Sequence, residues 1–395
     1  MPAVARSVDQ AIAETVLVRE IGDRIVELEP DITPLLVMTT NAKRKKACTS
    51  PRIEQIEDDL RVVWAQVSEG SDKSSVATTF NVVTGQGLRF AVGDLLTAPR
   101  TASSSAAEEV VRVTGISTDQ LTITRGSAGA DTISSSGSLR IIGSAYAENG
   151  AVGVSRSTDK TTIISYAQIF RDSVRVSGTL RATLLYGQND EDYQLAKALK
   201  DHKKSIESAG LWGRASESLA LPGSIWQSMG FKGRVATNVT DFSTTATLKK
   251  FNTFSQTGFR YGSPVKLLIA CPVAISAITF FSQTALMTQQ GETVFGVNVR
   301  RLVLPHGELM LARNFLMEDG IAAQSGYADE IYCMDLDAIE YRYLAANGVS
   351  RDTKLMRNVV QDGTDGFVHE YLTQAGWLVG QEKRHARGFG LSDYA

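Results

Sequence analysis

Four histidines, His202, His306, His369 and His385, and three cysteines, Cys48, Cys271 and Cys333, are the side chains best suited to metal or nucleophilic chemistry. Their spacing supplies no catalytic constellation. HExxH, a CxxC pair and a GxxxxGK[ST] phosphate loop are all missing from the sequence, so metal catalysis and nucleotide hydrolysis start without a motif. The nearest glycine motif, Gly85-Gln86-Gly87, lies in strand-rich sequence with no helix pattern after it and reads as a hairpin turn. Cys271 stands before Pro272 between apolar neighbours, the setting of an inert buried thiol, whereas a nucleophile would want a cationic one. Glu108 and Glu109 are adjacent, so in a strand they point to opposite faces and cannot flank one glycosidic bond; they read as surface charges. His202 has no second ligand at a compatible position, which favours a half-buried, hydrogen-bonded histidine over a metal ligand. The expectation is a chain with no enzymatic role, no cofactor and no metal.

At 395 residues the chain is too long for one ordinary core, and two or three domains are expected. Hydrophobic residues at 43% and charged residues at 21% match a globular protein and exclude disorder or a fibrous repeat. Lys plus Arg number 41 against 43 Asp plus Glu, a net charge of -2, which gives no global basic field for tight nucleic-acid binding. Three cysteines at distant positions argue for free thiols in a reducing compartment. No stretch approaches the roughly 20 apolar residues needed to cross a bilayer, and the opening MPAVARSVDQ lacks the apolar core of a secretory signal.

The sharpest positional signals lie between Thr161 and Trp212. From Ala167 to Ser177, Phe170, Asp172, Val174 and Val176 share one face of a strand, while Ile169, Arg171, Ser173 and Arg175 take the other, basic face. Asn189 then opens a helix over 189–212 as N-cap, with Asp190, Glu191 and Asp192 in the first turn and Lys197, Lys200, Lys203 and Lys204 following. Leu195, Leu199, His202, Ile206 and Ala209 or Gly210 recur at helical spacing, a narrow apolar stripe laid across a core.

Earlier in the chain, Ser7–Arg19 suits a short amphipathic helix or an extended arm equally, and Pro30 and Pro34 bracket a turn-rich piece. The run Lys43, Arg44, Lys45, Lys46 reads as a solvated loop in preference to a contact with DNA or a neighbour. Ser and Thr make up 15 of the 38 residues 101–138, and LRFAVGDLL, VVRVTGI and QLTITRG alternate as strands, so 68–146 reads as a small barrel or sandwich. After the long helix, helices at Thr244–Phe254 and Pro272–Phe281 and strands at Val265–Ala270, Val294–Val303 and Leu309–Phe315 predict a mixed domain. Strands at Glu330–Met334 and Phe367–Leu378 are expected to return to the sheet beside the long helix.

Taken together, QIF followed by VRVSGT, the Gly-Gln-Asn-Asp-Glu turn and YQLAKALKDHKKSIESAGLWG resemble the major capsid proteins of tailed phages with the Hong Kong 97-type fold. The likeness is strongest over Thr161–Gly213 and extends more loosely to Ile32–Leu60 and Ile331–Leu391. It implies an α+β fold with a long spine helix, peripheral and axial domains and an extended loop, here with an inserted all-β module. The expected division is an N-terminal arm at 1–50, loop arms at 51–67 and 147–180, the β module at 68–146, a peripheral domain at 181–240 and 330–395 with its spine helix at 189–212, and an axial domain at 241–329.

The resemblance further implies a homo-oligomer of capsid hexamers and pentamers, assembled in the host cytoplasm into an icosahedral virion shell around double-stranded DNA, with at most weak non-specific DNA contact. Portal, scaffold and decoration proteins would be partners, and no membrane is involved. No Lys and Asn pair stands out for the isopeptide cross-link that some capsids of this fold use, so none is expected. Arg171 and Arg175 are the candidate inter-subunit contact, and Leu195, Leu199 and Ile206 the core stripe of the spine helix. The β module is expected to fold alone and face outward, with loops open to protease at 101–105 or 134–138. An encapsulin-like bacterial nanocompartment shell is the alternative, and a hydrolase with a β-rich binding module a weaker one.

Overall fold

The structure is a computed structural model that describes residues 33–391 apart from 100–108, 127–130, 149–152, 154–157, 183–189, 219–224, 244–246, 286, 289–291, 295–296, 318–326 and 360–365. Ser7–Arg19, Glu108, Asn189 and the loop 101–105 lie outside the described residues. Of the segment that Pro30 and Pro34 bracket, 30–32 lie outside the described residues, and Pro34 opens a helix, α1 (Pro34–Asn41), where its missing N–H costs nothing. Lys45–Cys48 is a strand, β1, and β2 (Arg52–Glu57) leads away from it.

The next six strands form a unit of their own within Ile56–Thr161. They are β3 (Trp64–Gln66), β4 (Thr79–Asn81), β5 (Asp94–Thr97), β6 (Val110–Ser117), β7 (Gln120–Thr124) and β8 (Ser138–Ser144). The sheet runs β3-β8-β5-β6-β7-β4, and a bridge between Val67 and Val82 joins its two ends into a barrel. Alternate residues such as Val111, Val113, Leu121 and Ile123 fill the interior, as the two-residue period of each strand requires. Trp64–Gln66, within the stretch expected as a loop arm, is part of this barrel. Within LRFAVGDLL the break expected at Gly93-Asp94 is where β5 begins, with Gly93 at φ +98°, and the residues before it form a 3-10 turn (Gly87–Arg89) rather than a strand.

The remaining residues make the second unit. β9 (Thr161–Tyr166) pairs with β2 in a two-stranded ribbon, and β10 (Gln168–Val176) leads to the long helix α2 (Asp190–Trp212). Beyond it come β11 (Val239–Asp241), α3 (Leu248–Gly258), β12 (Val265–Ala270), α4 (Pro272–Ala285), β13 (Val297–Leu304) and β14 (Gly307–Arg313). The chain closes with β15 (Ile331–Met334), β16 (Ile339–Ala346), β17 (Phe367–Val379) and β18 (Ala386–Phe389).

Two sheets result. One runs β1-β16-β17-β10, with β17 and β10 antiparallel over nine residue pairs from Gln168 opposite Ala375 to Val176 opposite Phe367. The other runs β11-β18-β15-β12-β14-β13. The strand Ile331–Met334, expected beside the long helix, joins this second sheet instead, antiparallel to β12. Both faces of β12 are covered: Leu267 and Ile269 share a core with Ile206 and Trp377, while Leu268 and Ala270 pack with Phe251 and Phe254 of α3. A strand buried on both sides takes apolar residues on both, which is why LLIA shows no alternation, and Lys266 beside it is wholly buried only because its Nζ donates to the Gly258, Tyr261 and Arg384 carbonyls.

Candidate functional site

The long helix and the strands against it are where the distinctive side chains converge. On α2, Leu195 and Ile206 are buried, His202 is wholly buried, and Leu199 is half-buried at the edge of the stripe. Facing the helix, β17 presents His369, Tyr371, Thr373, Ala375 and Trp377, the odd-numbered side of the strand. Three of these five meet the helix through hydrogen bonds. His369 Nε2 lies 3.0 Å from Glu191 Oε1, His202 Nε2 lies 2.7 Å from Thr373 Oγ1, and Trp377 Nε1 donates to the Ile206 carbonyl at 3.0 Å. The spacing is commensurate. Eight strand residues span about 26 Å, and the fifteen helix residues from Glu191 to Ile206 span about 22 Å.

His202 is bonded on both sides, with Nδ1 donating to Asp172 on the inner face of β10 at 2.6 Å. Thr373 Oγ1 is in turn 3.0 Å from Thr353 Oγ1. Asp172, His202 and Thr373 thus stand in the order of a hydrolytic triad. Thr373, the position of the nucleophile, is 0% exposed, so no substrate carbonyl reaches it and the array holds the helix to the sheet. Sequence spacing could not have revealed this, because Asp172, His202 and Thr373 come from three separate elements.

Glu207, one residue past Ile206, escapes the apolar stripe and yet is wholly buried. Its Oε1 accepts from Leu35 N at 2.9 Å and from Asn314 Nδ2 at 3.2 Å, and its Oε2 accepts from Leu36 N at 2.7 Å. Burial pushes this carboxyl up to about 8, against the pull of its three donors.

Of the two arginines on the outer face of β10, Arg171 is engaged within its own subunit, as its Nε and Nη2 both donate to Glu370 of β17. Glu370, by its hydrogen bonds and charge, raises the Arg171 pKa still further. Arg175 is exposed, opposite Val368, on a strand that ends the sheet.

The Lys43–Lys46 run is not the solvated loop that its composition suggests. β1 lies parallel to β16, where Arg44 pairs with Asp337, Lys46 with Glu340 at 2.5 Å, and Lys45 with Asp352 at 2.5 Å. These acids lie about 300 positions downstream, beyond any sequence window. Glu109 also departs from expectation: it is 1% exposed and bidentate to Arg125, with Nε at 3.0 Å and Nη2 at 2.5 Å. Burial alone would raise its pKa, but Arg125 and the Asp131 N–H outweigh that and hold it below the ordinary glutamate range.

The glycine turn binds a side chain of its own barrel. Gly85 N and Gly87 N donate to Asp119 Oδ1 at 2.9 and 3.0 Å, and a Cβ on Gly87 would sit 1.9 Å from the Thr118 carbonyl oxygen. Cys271 is buried, and burial pushes the Cys333 thiol up to about 12. Burial lowers His385 to about 4, with Nδ1 accepting from Asp335 N and Nε2 beside the Gly380 carbonyl. Among the described residues no three His, Cys, Asp or Glu side chains gather as a metal site, and no helix is long and apolar enough to cross a membrane.

A family model described as SU10 major capsid protein matches residues 7–392. The capsid asymmetric unit of cyanophage A-1(L) is 10% identical, covering 98% of this chain and 100% of that one, with a TM-score of 0.50. Mycobacterium phage Bobi aligns at 7% identity over 97% and 98% of the two chains, TM-score 0.47. The holo-SrpI encapsulin complex from Synechococcus elongatus PCC 7942 aligns at 11% identity over 60% and 80%, TM-score 0.44. No curated protein matches.

Proposed function

The chain belongs to the SU10 major capsid protein family, a phage capsid subunit with the Hong Kong 97-type fold, and on that premise we propose how its copies are joined. They assemble as hexamers and pentamers into an icosahedral head that encloses double-stranded DNA, with portal, scaffold and decoration proteins as further partners. Its work is association rather than catalysis, which the burial of Thr373 supports.

The observation that carries the inter-subunit reading is the state of β10. It closes its sheet as an edge strand, with Arg171 held by Glu370 and Arg175 turned outward at its far end. An edge strand in a shell is a natural place for a neighbouring copy, and Arg175 offers a charge to an acidic group there. Arg171 then acts by fixing the strand. The basic run at 44–46 is neutralised by acids of its own chain, which supports weak contact with the enclosed genome. The barrel within Ile56–Thr161 closes on its own core, which supports a module carried on the outer surface.

The test is the subunit concentration at which shells form, read by sedimentation and negative-stain microscopy across ionic strength. Wild type should need more subunit as salt rises, because an attractive pair is screened. Arg175→Glu should need more at low salt and less as salt rises, because a repulsion is screened. Equal thresholds with equal slopes would remove Arg175 from the interface.

A further inference from the structure

Helix α1 is apolar on two sides, and only one of them is covered. Pro34, Leu35, Met38 and Thr39 are buried, whereas Leu36 and Val37, on the opposite side, are half-buried. A helix that is apolar all round belongs in an interior. The uncovered side, from Thr33 at the N-cap to Asn41, lines a groove faced by Lys203 and Ile206 of α2 and by Tyr341 of β16. The groove holds about 230 Å³, against about 30 Å³ for a water molecule, so it has room for side chains.

We propose that the chain's own residues 20–29 occupy this groove, as a helix lying antiparallel to α1 with Ile21, Ile25 and Leu28 turned into it. Residues 1–32 lie outside the described residues, and the chain enters the structure at Thr33, on the wall of the groove itself. Ile21, Ile25 and Leu28 recur at four and three residues, one stripe of a helix. Pro30 bars Glu29 from continuing that helix, and Thr33 at φ -125°, ψ 65° is itself not helical, so the chain changes direction over 30–33. A connection of that length suits an antiparallel helix pair. Ten helical residues span about 15 Å and the eight of α1 about 12 Å, so the two run side by side.

Charge points the same way. Residues 20–32 carry Glu20, Asp23, Glu27, Glu29 and Asp31 against Arg24 alone. On the groove wall Lys45 is already paired with Asp352, and Lys203 is the exposed cation that an arriving carboxylate meets. The segment cannot hold a helix by itself, because it is short and includes Gly22 and the β-branched Ile21, Ile25 and Val26. Order within 20–29 is therefore a direct readout of docking.

Hydrogen exchange with mass spectrometry on the full-length, unassembled subunit tests this. In wild type the amides of 20–29 should exchange at least about tenfold more slowly than their intrinsic rates. Leu28→Ser withdraws an apolar side chain from the groove and should speed their exchange about tenfold. Lys203→Glu, at an exposed position, sets like charges together and should speed it about threefold. In both variants the amides of α3, on a different core, should be unchanged, which shows that the fold is intact. Dilution by about tenfold should leave the wild-type protection as it is, since the occupant belongs to the same chain. Exchange of 20–29 at the intrinsic rates, protection untouched by both substitutions, or protection that falls on dilution, the mark of a second copy in the groove, would each overturn the proposal.

Discussion

His202 Nδ1 stands 2.6 Å from Asp172 Oδ2, tying the middle of the long helix to the strand that precedes it in the chain. The contact turns a polar interruption of an apolar stripe into an attachment point, since the other ring nitrogen reaches Thr373 on the next strand over. Replacing His202 with Leu keeps the volume but leaves the buried Thr373 hydroxyl without its ring partner and Asp172 without its donor. A loss of about 2 to 4 kcal/mol is expected in urea unfolding of the soluble subunit. A loss below about 0.5 kcal/mol, the level of an ordinary surface change, would mean that the array is incidental.

Gly210 lies against Trp377, and a Cβ added there would come within 2.7 Å of the ring atom Cε2 of a tryptophan that is 1% exposed. Alanine would gain up to about 1 kcal/mol in helix propensity. The overpacking should cost about 1 to 3 kcal/mol, so Gly210→Ala should still destabilise. In a double-mutant cycle Trp377→Phe should relieve part of the cost; strict additivity would show that the two residues do not compete for space.

The stripe of α2 is graded. Ile206 is 1% exposed and Leu199 is half-buried, so a carboxylate at the two positions should have unequal effects. Ile206→Asp should cost about 3 kcal/mol or more and abolish soluble particles. Leu199→Asp can turn its carboxylate to water and should assemble with a modest loss. Equal yields of intact particles from both variants would contradict this grading.

The barrel offers a pH test on a separate fragment, because Ile56–Thr161 is a compact unit with its own core. The excised fragment should show β circular dichroism and a cooperative melt. Arg125 holds the Glu109 carboxyl below its ordinary value, so this pair's contribution is present above the unfolded glutamate value and is lost as pH falls through the lower folded one. The melting temperature should therefore drop on the acid side. Arg125→Ala should cost about 3 to 5 kcal/mol at neutral pH by leaving a buried charge unpaired. An unfolded fragment, or a melt unchanged by this substitution, would show that the pair supports nothing.

Local periodicity determined a good deal. The acidic start, lysine-rich middle and four-residue apolar repeat of 190–212 specify a helix whatever surrounds it, and the alternation in 168–176 places Asp172 and Arg171 on opposite faces of one strand. Pro272 opening a helix and the apolar run Val265–Ala270 were legible for the same reason, since each rests on the backbone preferences of neighbouring residues. Partners were not legible. Lys45 and Lys46 look solvated until Asp352 and Glu340 are brought beside them, Glu109 looks like a surface charge until the barrel closes it over Arg125, and Glu207 looks like one more charge on an exposed face. Whether a charge is solvated, paired or buried depends on which distant segments the sheets and the long helix bring within about 4 Å of it, and Coulomb and desolvation energies carry no trace of that in sequence order.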